Sequence, residues 1–277
     1  MKSAGRSAEG AGSLKRMDAT ARFGELLARP AALVPLDEAA LLIAAHAHEG
    51  LDIDRYLGCL DLLAERCPAP TLDSLVTYLF TDLGFAGNVR DYYDPRNSFL
   101  DDVLDRRIGI PITLAVVAVE VGRRIGVPLS GVSMPGHFLL RDKVDHDVFV
   151  DPFHRGRLLD RQGCADAFRS VHGAGARFDP VFLDPIDNHV VVGRLLANLR
   201  ATYSARGDKQ ALAWTLRLRT FVPGIPIEER AELAGVLAAR GQFVAAAGEF
   251  DRLAEQLGGE LGDEYHRSAS RLRARLN

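Results

Sequence analysis

Cysteine is scarce in this 277-residue sequence, which contains three: Cys59, Cys67 and Cys164. Three scattered cysteines are too few for a disulfide framework or for a cysteine-based zinc site. An odd number of thiols is typical of proteins from a reducing compartment. We therefore predict a cytoplasmic protein whose thiols are buried and unreactive.

A strong charge of one sign is also missing. The chain carries 34 Lys and Arg residues against 37 Asp and Glu residues, a formal net charge of −3, so the composition favours neither nucleic acid nor an anionic membrane as a partner. The uncharged stretch Ile108–Val119 is too short to span a bilayer. The Gly/Ala/Ser-rich start of the chain has no apolar segment of the secretory type. We predict a disordered tail over residues 1–18 and neither a nucleic-acid nor a membrane partner.

Helical spacing of apolar residues dominates the sequence that follows. Segments such as LDEAALLIAAHAHEG and DIDRYLGCLDLLAERC place apolar residues at i, i+3 and i+4. Prolines separate these segments, and Asp37 and Thr71 stand where helix N-caps are expected. The pattern predicts an N-terminal helical portion over residues 19–96.

The middle of the chain, residues 97–185, combines one apolar helix with short strands. Pro111 stands where a first helical turn tolerates proline, and TLAVVAVEVGRRIG is apolar on almost every side, which predicts a buried helix ending before Gly126. LSGVSM, HFLLR and DVFVD have the character of strands. One buried helix followed by a small antiparallel sheet predicts an α+β fold.

The last region, residues 186–277, is predicted to be helical and contains an internal repeat. Three sets of positions share an offset of 34 residues: Leu199 with Leu233, Arg206-Gly207 with Arg240-Gly241, and Ala211 with Ala245. This offset is the tetratricopeptide period, and the concave face of such repeats commonly receives a peptide or a helix. The alternative is two unrelated helical hairpins.

A histidine and an aspartate in the middle region suggest chemistry. His137 follows Pro135-Gly136, and Asp151 comes fourteen residues later, at the end of the next strand. If the two strands pair as neighbours, the side chains of His137 and Asp151 come side by side. A carboxylate that orients an imidazole makes up two members of a nucleophilic triad. The third belongs at the start of a buried helix, where the helix dipole lowers the pKa of a thiol.

The segments NSFLDDVLDRRIGIPITLAVVAVEVGRRIGVPLSGVSMPGHFLLR, VDPF and NLRATYSARGDKQALAW resemble the SirB1 family. That family joins a transglutaminase-like core to a tetratricopeptide-like C-terminal region, and the resemblance implies a papain-like core. The Cys-His-Asp triad of the superfamily carries over as His137 and Asp151. Its cysteine does not, because none lies between Cys67 and Cys164. The nearest hydroxyl at the helix start is that of Thr113.

The loss of the cysteine leaves two readings of the candidate relic triad Thr113, His137 and Asp151. A threonine hydroxyl is harder to ionise than a thiol, and the methyl group of threonine hinders nucleophilic attack by the oxygen. Thr113 is therefore either the nucleophile of a hydrolase or acyltransferase acting on an amide or peptide, or a hydroxyl that bonds the backbone in the first helical turn. Asp151 either orients His137 or caps the turn before Pro152.

The remaining candidates concern binding. Asn97, Arg107 and Pro111 surround the predicted helix start and are candidate ligand-binding residues, although Asn97 is also suited to tether the loop before the helix. His137, Asp151 and His154 could supply three ligands of a metal site, but their spacing in the sequence is not specific to such sites. We predict neither a metal nor a cofactor. The expectation is a non-catalytic protein that binds a protein or peptide through the tetratricopeptide-like region, with an enzyme as the alternative.

Overall fold

The computed structural model describes Asp18–Leu276, and the chain divides into two compact units between Leu195 and Leu196. We call residues 1–195 the first unit and residues 196–277 the second unit. The predicted disordered tail, residues 1–18, lies outside the described residues except for Asp18. None of the described helices is long and apolar enough to span a membrane.

Helices make up the first part of the first unit. These are α1 (18–27), α2 (Leu36–Ala44), α3 (Ile53–Glu65), α4 (Leu72–Val76), which continues as a π-helical turn (Thr77–Asp82), and α5 (Leu100–Arg106), with 3-10 turns at Ala31–Leu33 and Pro95–Ser98. Thr71 caps α4 as predicted, accepting a hydrogen bond from the Ser74 amide. Asp37 lies inside α2 instead of ahead of it, because the helix starts directly after Pro35.

Helix α6 (Pro111–Ile125) is buried along most of its length, as its apolar surface predicts. Helices α2 to α5 all contact it, so the predicted N-terminal portion and the predicted core share one compact unit. Glu120 ties α2 to α6: it is 2 % exposed, accepts a hydrogen bond from the Leu36 amide and binds Arg124 at 2.9 Å. Arg124 also binds Asp37 at 2.7 Å, so one arginine at the end of α6 bridges acidic groups of both helices.

A five-stranded antiparallel sheet follows α6, in the spatial order β6-β5-β4-β3-β7. Its strands are β3 (Leu129–Val132), β4 (Leu139–Asp142), β5 (Phe149–Asp151), β6 (Arg157–Leu159) and β7 (Pro185–Ile186). Helix α7 (Arg161–His172) packs on one face, where Leu139, Phe149, Cys164 and Phe168 share a buried cluster. The predicted α+β fold is confirmed, with the helix-then-sheet order that the sequence indicates.

A two-residue parallel pairing anchors the start of α6. Strand β1 (Ala86–Gly87) pairs with β2 (Ile108–Gly109), which immediately precedes that helix. The Asn88 amide also donates to the Gly109 carbonyl at 2.9 Å. The loop after β1 is therefore held beside the helix start.

The second unit is helical. Helix α8 (Asn188–Arg206) runs across the division, followed by α9 (Lys209–Arg219), α10 (Glu228–Ala239), α11 (Phe243–Leu257), α12 (Gly259–Arg273) and a 3-10 turn (Ala274–Leu276). The turns before α9 and α11 contain Gly207 and Gly241, whose φ angles are +67° and +74°. These glycines occupy equivalent positions of the 34-residue offset and adopt the left-handed conformation that glycine tolerates best. Assignment to the tetratricopeptide class stays a prediction.

Candidate functional site

The hydroxyl of Thr113 is bonded to the backbone around the start of α6. Thr113 is 1 % exposed. Its Oγ1 accepts a hydrogen bond from the Ile110 amide at 3.1 Å and lies 2.7 Å from the Asn97 carbonyl, to which it donates. A Cβ added to Gly109 would lie only 2.8 Å from this oxygen. Of the two roles that the sequence left open, this geometry is that of a side chain organising a helix start, and among the hydrogen bonds of the described residues Thr113 has none to His137.

Asn97 is fully buried and tethers the loop that precedes α6. Its Nδ2 donates to the carbonyls of Asp91 and Tyr92 at 2.8 and 3.2 Å, and its Oδ1 accepts from Asn88 at 3.1 Å. Its backbone carbonyl accepts the Thr113 hydroxyl. Asn97 therefore holds residues 88–97 against the helix start, which is the tethering role considered from the sequence.

The other two candidate binding residues lie at the ends of neighbouring helices. Pro111 is the first residue of α6 and is half-buried. Arg107 follows α5 in the left-handed region, with φ at +57°, and its Nη1 donates to the Leu83 carbonyl at 2.9 Å. Arg107 is thus engaged by the backbone of its own chain, and the structure does not bring it to His137 through any contact of the described residues.

His137 is half-buried at the end of a tight turn, and its amide donates to the Met134 carbonyl at 2.9 Å. Gly136 takes φ +77° in this turn, and a Cβ there would lie 3.1 Å from His172 Nε2, so α7 packs closely on it. Nε2 of His137 is buried and has no hydrogen-bond partner in the part of the chain that is described. Burial lowers the pKa of His137, although the Asp151 charge and the Ala167 carbonyl raise it. The imidazole is therefore neutral at neutral pH.

Asp151 holds a different histidine from the one the sequence suggested. Its Oδ2 accepts from His154 Nδ1 at 2.7 Å, and its Oδ1 accepts from the amides of Phe153 and His154, both at 3.1 Å. Strands β4 and β5 are neighbours as expected, but their register pairs Leu140 with Val150. Continued by one residue, this register places Leu139, not His137, opposite Asp151. His137 lies outside β4, two residues before Leu139, and is therefore not the cross-strand neighbour of Asp151.

A series of contacts links His137 to side chains that are distant from it in the sequence. The ring centroids of His137 and His154 are 6.4 Å apart, those of His154 and Phe153 are 5.4 Å apart, and those of Phe153 and Tyr92 are 6.0 Å apart. Arg194 donates to Ser133 Oγ. We call this set the His137 cluster; its members are Tyr92, Ser133, His137, Phe153, His154 and Arg194.

Tyr92 and Arg194 are the members of the His137 cluster that lie farthest from His137 along the chain. Burial raises the pKa of Tyr92, and the charge of Arg194 acts in the opposite direction. Neither residue carries a motif signal in the sequence. Of the residues around His137, the sequence indicates only His154, as a possible metal ligand close to Asp151 in the segment HDVFVDPFH. Positions 92, 133 and 194 are far apart in the sequence, and only the three-dimensional arrangement brings them together.

The structure gathers possible metal ligands at another place. Among the residues described, His48, Asp101 and Asp102 are the one set of three whose ligand atoms all lie within 4.8 Å of one another. His48 Nδ1 lies 2.5 Å from Asp101 Oδ2, and its Nε2 lies 3.4 Å from Asp102 Oδ2. The ligand atoms of His137, Asp151 and His154, the set considered from the sequence, do not all lie this close together.

Comparison with known proteins identifies the core. Residues 42–197, more than half of the chain, match the family model described as the transglutaminase-like superfamily. The chain belongs to the transglutaminase-like superfamily. This confirms the predicted transglutaminase-like fold, whereas the core bounds of 97–185 stay a prediction and the SirB1 name stays a resemblance. No solved structure matches the chain.

Relatives are found in bacteria and in animals. The chain is 39% identical over 208 residues to a UPF0162 protein of Xylella fastidiosa strain Temecula1, covering 70% of this chain and 74% of the relative. It is 32% identical over 175 residues to a UPF0162 protein of Vibrio cholerae, covering 62% and 64%. A shorter match, 38% identical over 103 residues, covers 34% of this chain and 16% of F-box only protein 21 of Mus musculus.

Proposed function

We propose that this protein is a non-catalytic member of the transglutaminase-like superfamily that binds a protein or peptide partner. One observation carries the proposal: the only hydroxyl that the sequence offers as a replacement nucleophile, that of Thr113, is buried and already bonded to two backbone groups. Attack on an acyl carbon would require this oxygen to break both bonds and to leave the helix start. A nucleophile needs the opposite arrangement, an accessible atom bonded to a base.

The cysteine in the buried core of the sheet does not replace the missing thiol. Cys164 is fully buried among the apolar residues between α7 and the sheet. Burial, together with the charges of Asp160 and Asp151, raises its pKa to about 12. At neutral pH the group is a thiol, and the thiolate is the reactive form.

The His137 cluster supports a binding role. It offers aromatic faces on Tyr92 and Phe153, a guanidinium on Arg194, and a buried nitrogen on His137 that has no partner among the described residues. Apolar faces with a few directed polar groups are the usual composition of a ligand site. The repeated helical hairpins of the second unit are proposed as a further contact surface, and Val244 and Leu261 are exposed there.

The binding proposal is tested with a library of N-acetylated octapeptides and fluorescence anisotropy. We expect a subset of peptides to bind the wild type and to bind the His137→Ala variant at least about tenfold more weakly, since a buried polar contact and its packing are lost. His266→Ala, which removes an exposed histidine near Asp251 in the second unit, is the control and retains affinity. Absence of any binding peptide, or equal affinity of both variants, overturns the proposal at this site.

A second candidate function is a hydrolase or acyltransferase on an amide or peptide. The unpartnered Nε2 of His137 and the lowered pKa of its ring favour it, because a neutral imidazole is a general base. Hydrolysis of fluorogenic peptide amides and transfer to a labelled amine separate the two functions. Turnover that Thr113→Ser preserves and that Thr113→Val and His137→Ala both abolish would establish the enzyme. We expect wild-type rates no higher than those of His137→Ala.

A further inference from the structure

We propose that the His137 cluster recognises a carboxylate of its ligand, with Arg194 as the paired cation and Nε2 of His137 as the partner of an adjacent polar group. The inference rests on the proposed peptide-binding function and specifies its ligand. Every residue involved lies in the first unit. The chemistry is that of a peptide carboxylate, either at a C-terminus or on an acidic side chain.

Arg194 is a half-buried cation without a carboxylate. Among residues 18–276, no Asp or Glu oxygen lies within 4.0 Å of its guanidinium, whose hydrogen bond goes to Ser133. A guanidinium has five N–H donors, so most of its capacity is unused. Arg124 in the same unit shows the contrast, since it binds both Asp37 and Glu120. Removing a charge from water is unfavourable unless it is paired, and an incoming carboxylate would provide the pair.

The position of Arg194 directs that carboxylate towards His137. Ser133, which binds Arg194, immediately precedes the turn that begins at Met134 and ends at His137. Arg194 and His137 therefore lie at the two ends of one short turn. Three successive ring contacts also connect His137 to Tyr92, through His154 and Phe153. A ligand carboxylate at Arg194 would have a second polar group within reach of His137.

The other charged group near the cluster does not oppose an anion. Asp151 is 4 % exposed, and its two oxygens accept three hydrogen bonds, from two backbone amides and from His154. These donors offset its negative charge. The carboxylate of Asp151 is paired with His154 and, among the described residues, makes no ion pair with Arg194, so it does not take the place of the ligand there. Tyr92 is uncharged at neutral pH, and burial raises its pKa further.

Three capped dipeptides test the inference, because they differ only by carboxylate and amide. N-acetyl-Asn-Phe with a free C-terminus has a terminal carboxylate, N-acetyl-Asp-Phe-amide has a side-chain carboxylate, and N-acetyl-Asn-Phe-amide has neither. Titrations are followed by NMR through the Arg194 Nε–H and His137 ring signals. We expect at least one acid to shift both signals and to bind about tenfold more tightly than the neutral peptide, as a charge-assisted pair requires.

The variant Arg194→Gln is expected to bring the affinity of that acid down to that of the neutral peptide. Arg194 lies over the Phe138 ring, 6.0 Å from its centroid, and Arg141 lies over the Phe149 ring in the same way, at 5.7 Å. Arg141→Gln is therefore the matched control, and it should leave affinity unchanged. If Arg194→Gln does not fold, the affinity of the Arg194→Lys variant and the shift of the wild-type Arg194 Nε–H signal are measured instead.

Each outcome of these titrations is informative. Preference for one acid over the other identifies the source of the carboxylate. Equal binding of the acids and the neutral peptide overturns the carboxylate inference but leaves the peptide-binding function standing. Absence of binding by all three, while library peptides still bind through His137, also overturns the inference alone.

Discussion

Asp151 and His154 form the carboxylate–imidazole pair of this core, with 2.7 Å between Oδ2 and Nδ1. In a nucleophilic triad the aspartate would hold the histidine that faces the nucleophile. Here the aspartate closes a turn onto a histidine three residues later. His137 is left with a buried nitrogen that has no partner within the described chain. In the proposed function this buried nitrogen is the partner of a ligand group, while the pair of Asp151 and His154 supports the neighbouring turn.

Removing the hydroxyl of Thr113 is expected to destabilise the protein. Thr113→Val leaves the Ile110 amide and the Asn97 carbonyl without their side-chain partner in a buried setting, which costs about 1–3 kcal/mol. Thr113→Ser keeps the hydroxyl and loses one buried methyl, about 0.8 kcal/mol. Urea unfolding measures both. A Thr113→Val variant as stable as Thr113→Ser would contradict the assigned role.

Asp151 is expected to act on stability through the turn that it closes. Asp151→Ala leaves the amides of Phe153 and His154 and the His154 ring without their acceptor, and we expect a loss of about 1–3 kcal/mol in the free energy of unfolding. Asp151→Asn keeps one amide-accepting oxygen and should lose less. Thermal and urea unfolding provide the comparison, and equal losses in the two variants would argue against the turn-closing role.

The pair of His48 and Asp101 predicts a pH dependence of stability. The hydrogen bond to Asp101 raises the pKa of His48 above 6.5, although burial lowers it. A raised pKa in the folded state means that the stabilisation is fully present below pH 6.5 and is lost as the pH rises through the folded-state pKa. Wild-type stability should therefore fall over this interval.

His48→Gln removes the titrating group and should flatten the pH dependence in that interval. His266→Gln removes an exposed histidine near Asp251 and serves as the control, since it leaves the His48–Asp101 pair in place. Urea unfolding at several pH values between 6 and 9 measures the effect. If the free energy of unfolding of His48→Gln depends on pH in the same way as that of the wild type, the His48–Asp101 pair is not the cause of the pH dependence.

Cys164 should resist alkylation in the native state. It is fully buried, with a pKa of about 12, whereas Cys59 and Cys67 are only partly buried. Iodoacetamide at pH 8, followed by peptide mass spectrometry, should label Cys59 and Cys67 first and Cys164 only after unfolding. Labelling of native Cys164 at the rate of the other two would contradict its placement in the core.

Much of the fold follows from local patterns. The apolar surface of α6 predicts a buried helix, and the short alternating segments after Gly126 predict the strands, as observed. The turns at Gly207 and Gly241 recur at the predicted offset. Local patterns fail for Asp37. Its residue type and position predict a helix cap, but it is buried and forms an ion pair with Arg124, a contact that the local sequence does not indicate.

The sequence by itself determined the helix-then-sheet order, the loss of the cysteine, and the presence of His137 and Asp151 near the ends of adjacent strands, because these depend on residue identity and on periodicity along the chain. Only the tertiary structure decided that Asp151 binds His154, that Thr113 bonds the backbone, and that Tyr92 and Arg194 join His137. The physical reason is register: pairing Leu140 with Val150 places Leu139, not His137, opposite Asp151, and contacts between distant segments depend on such registers and on packing, not on local sequence.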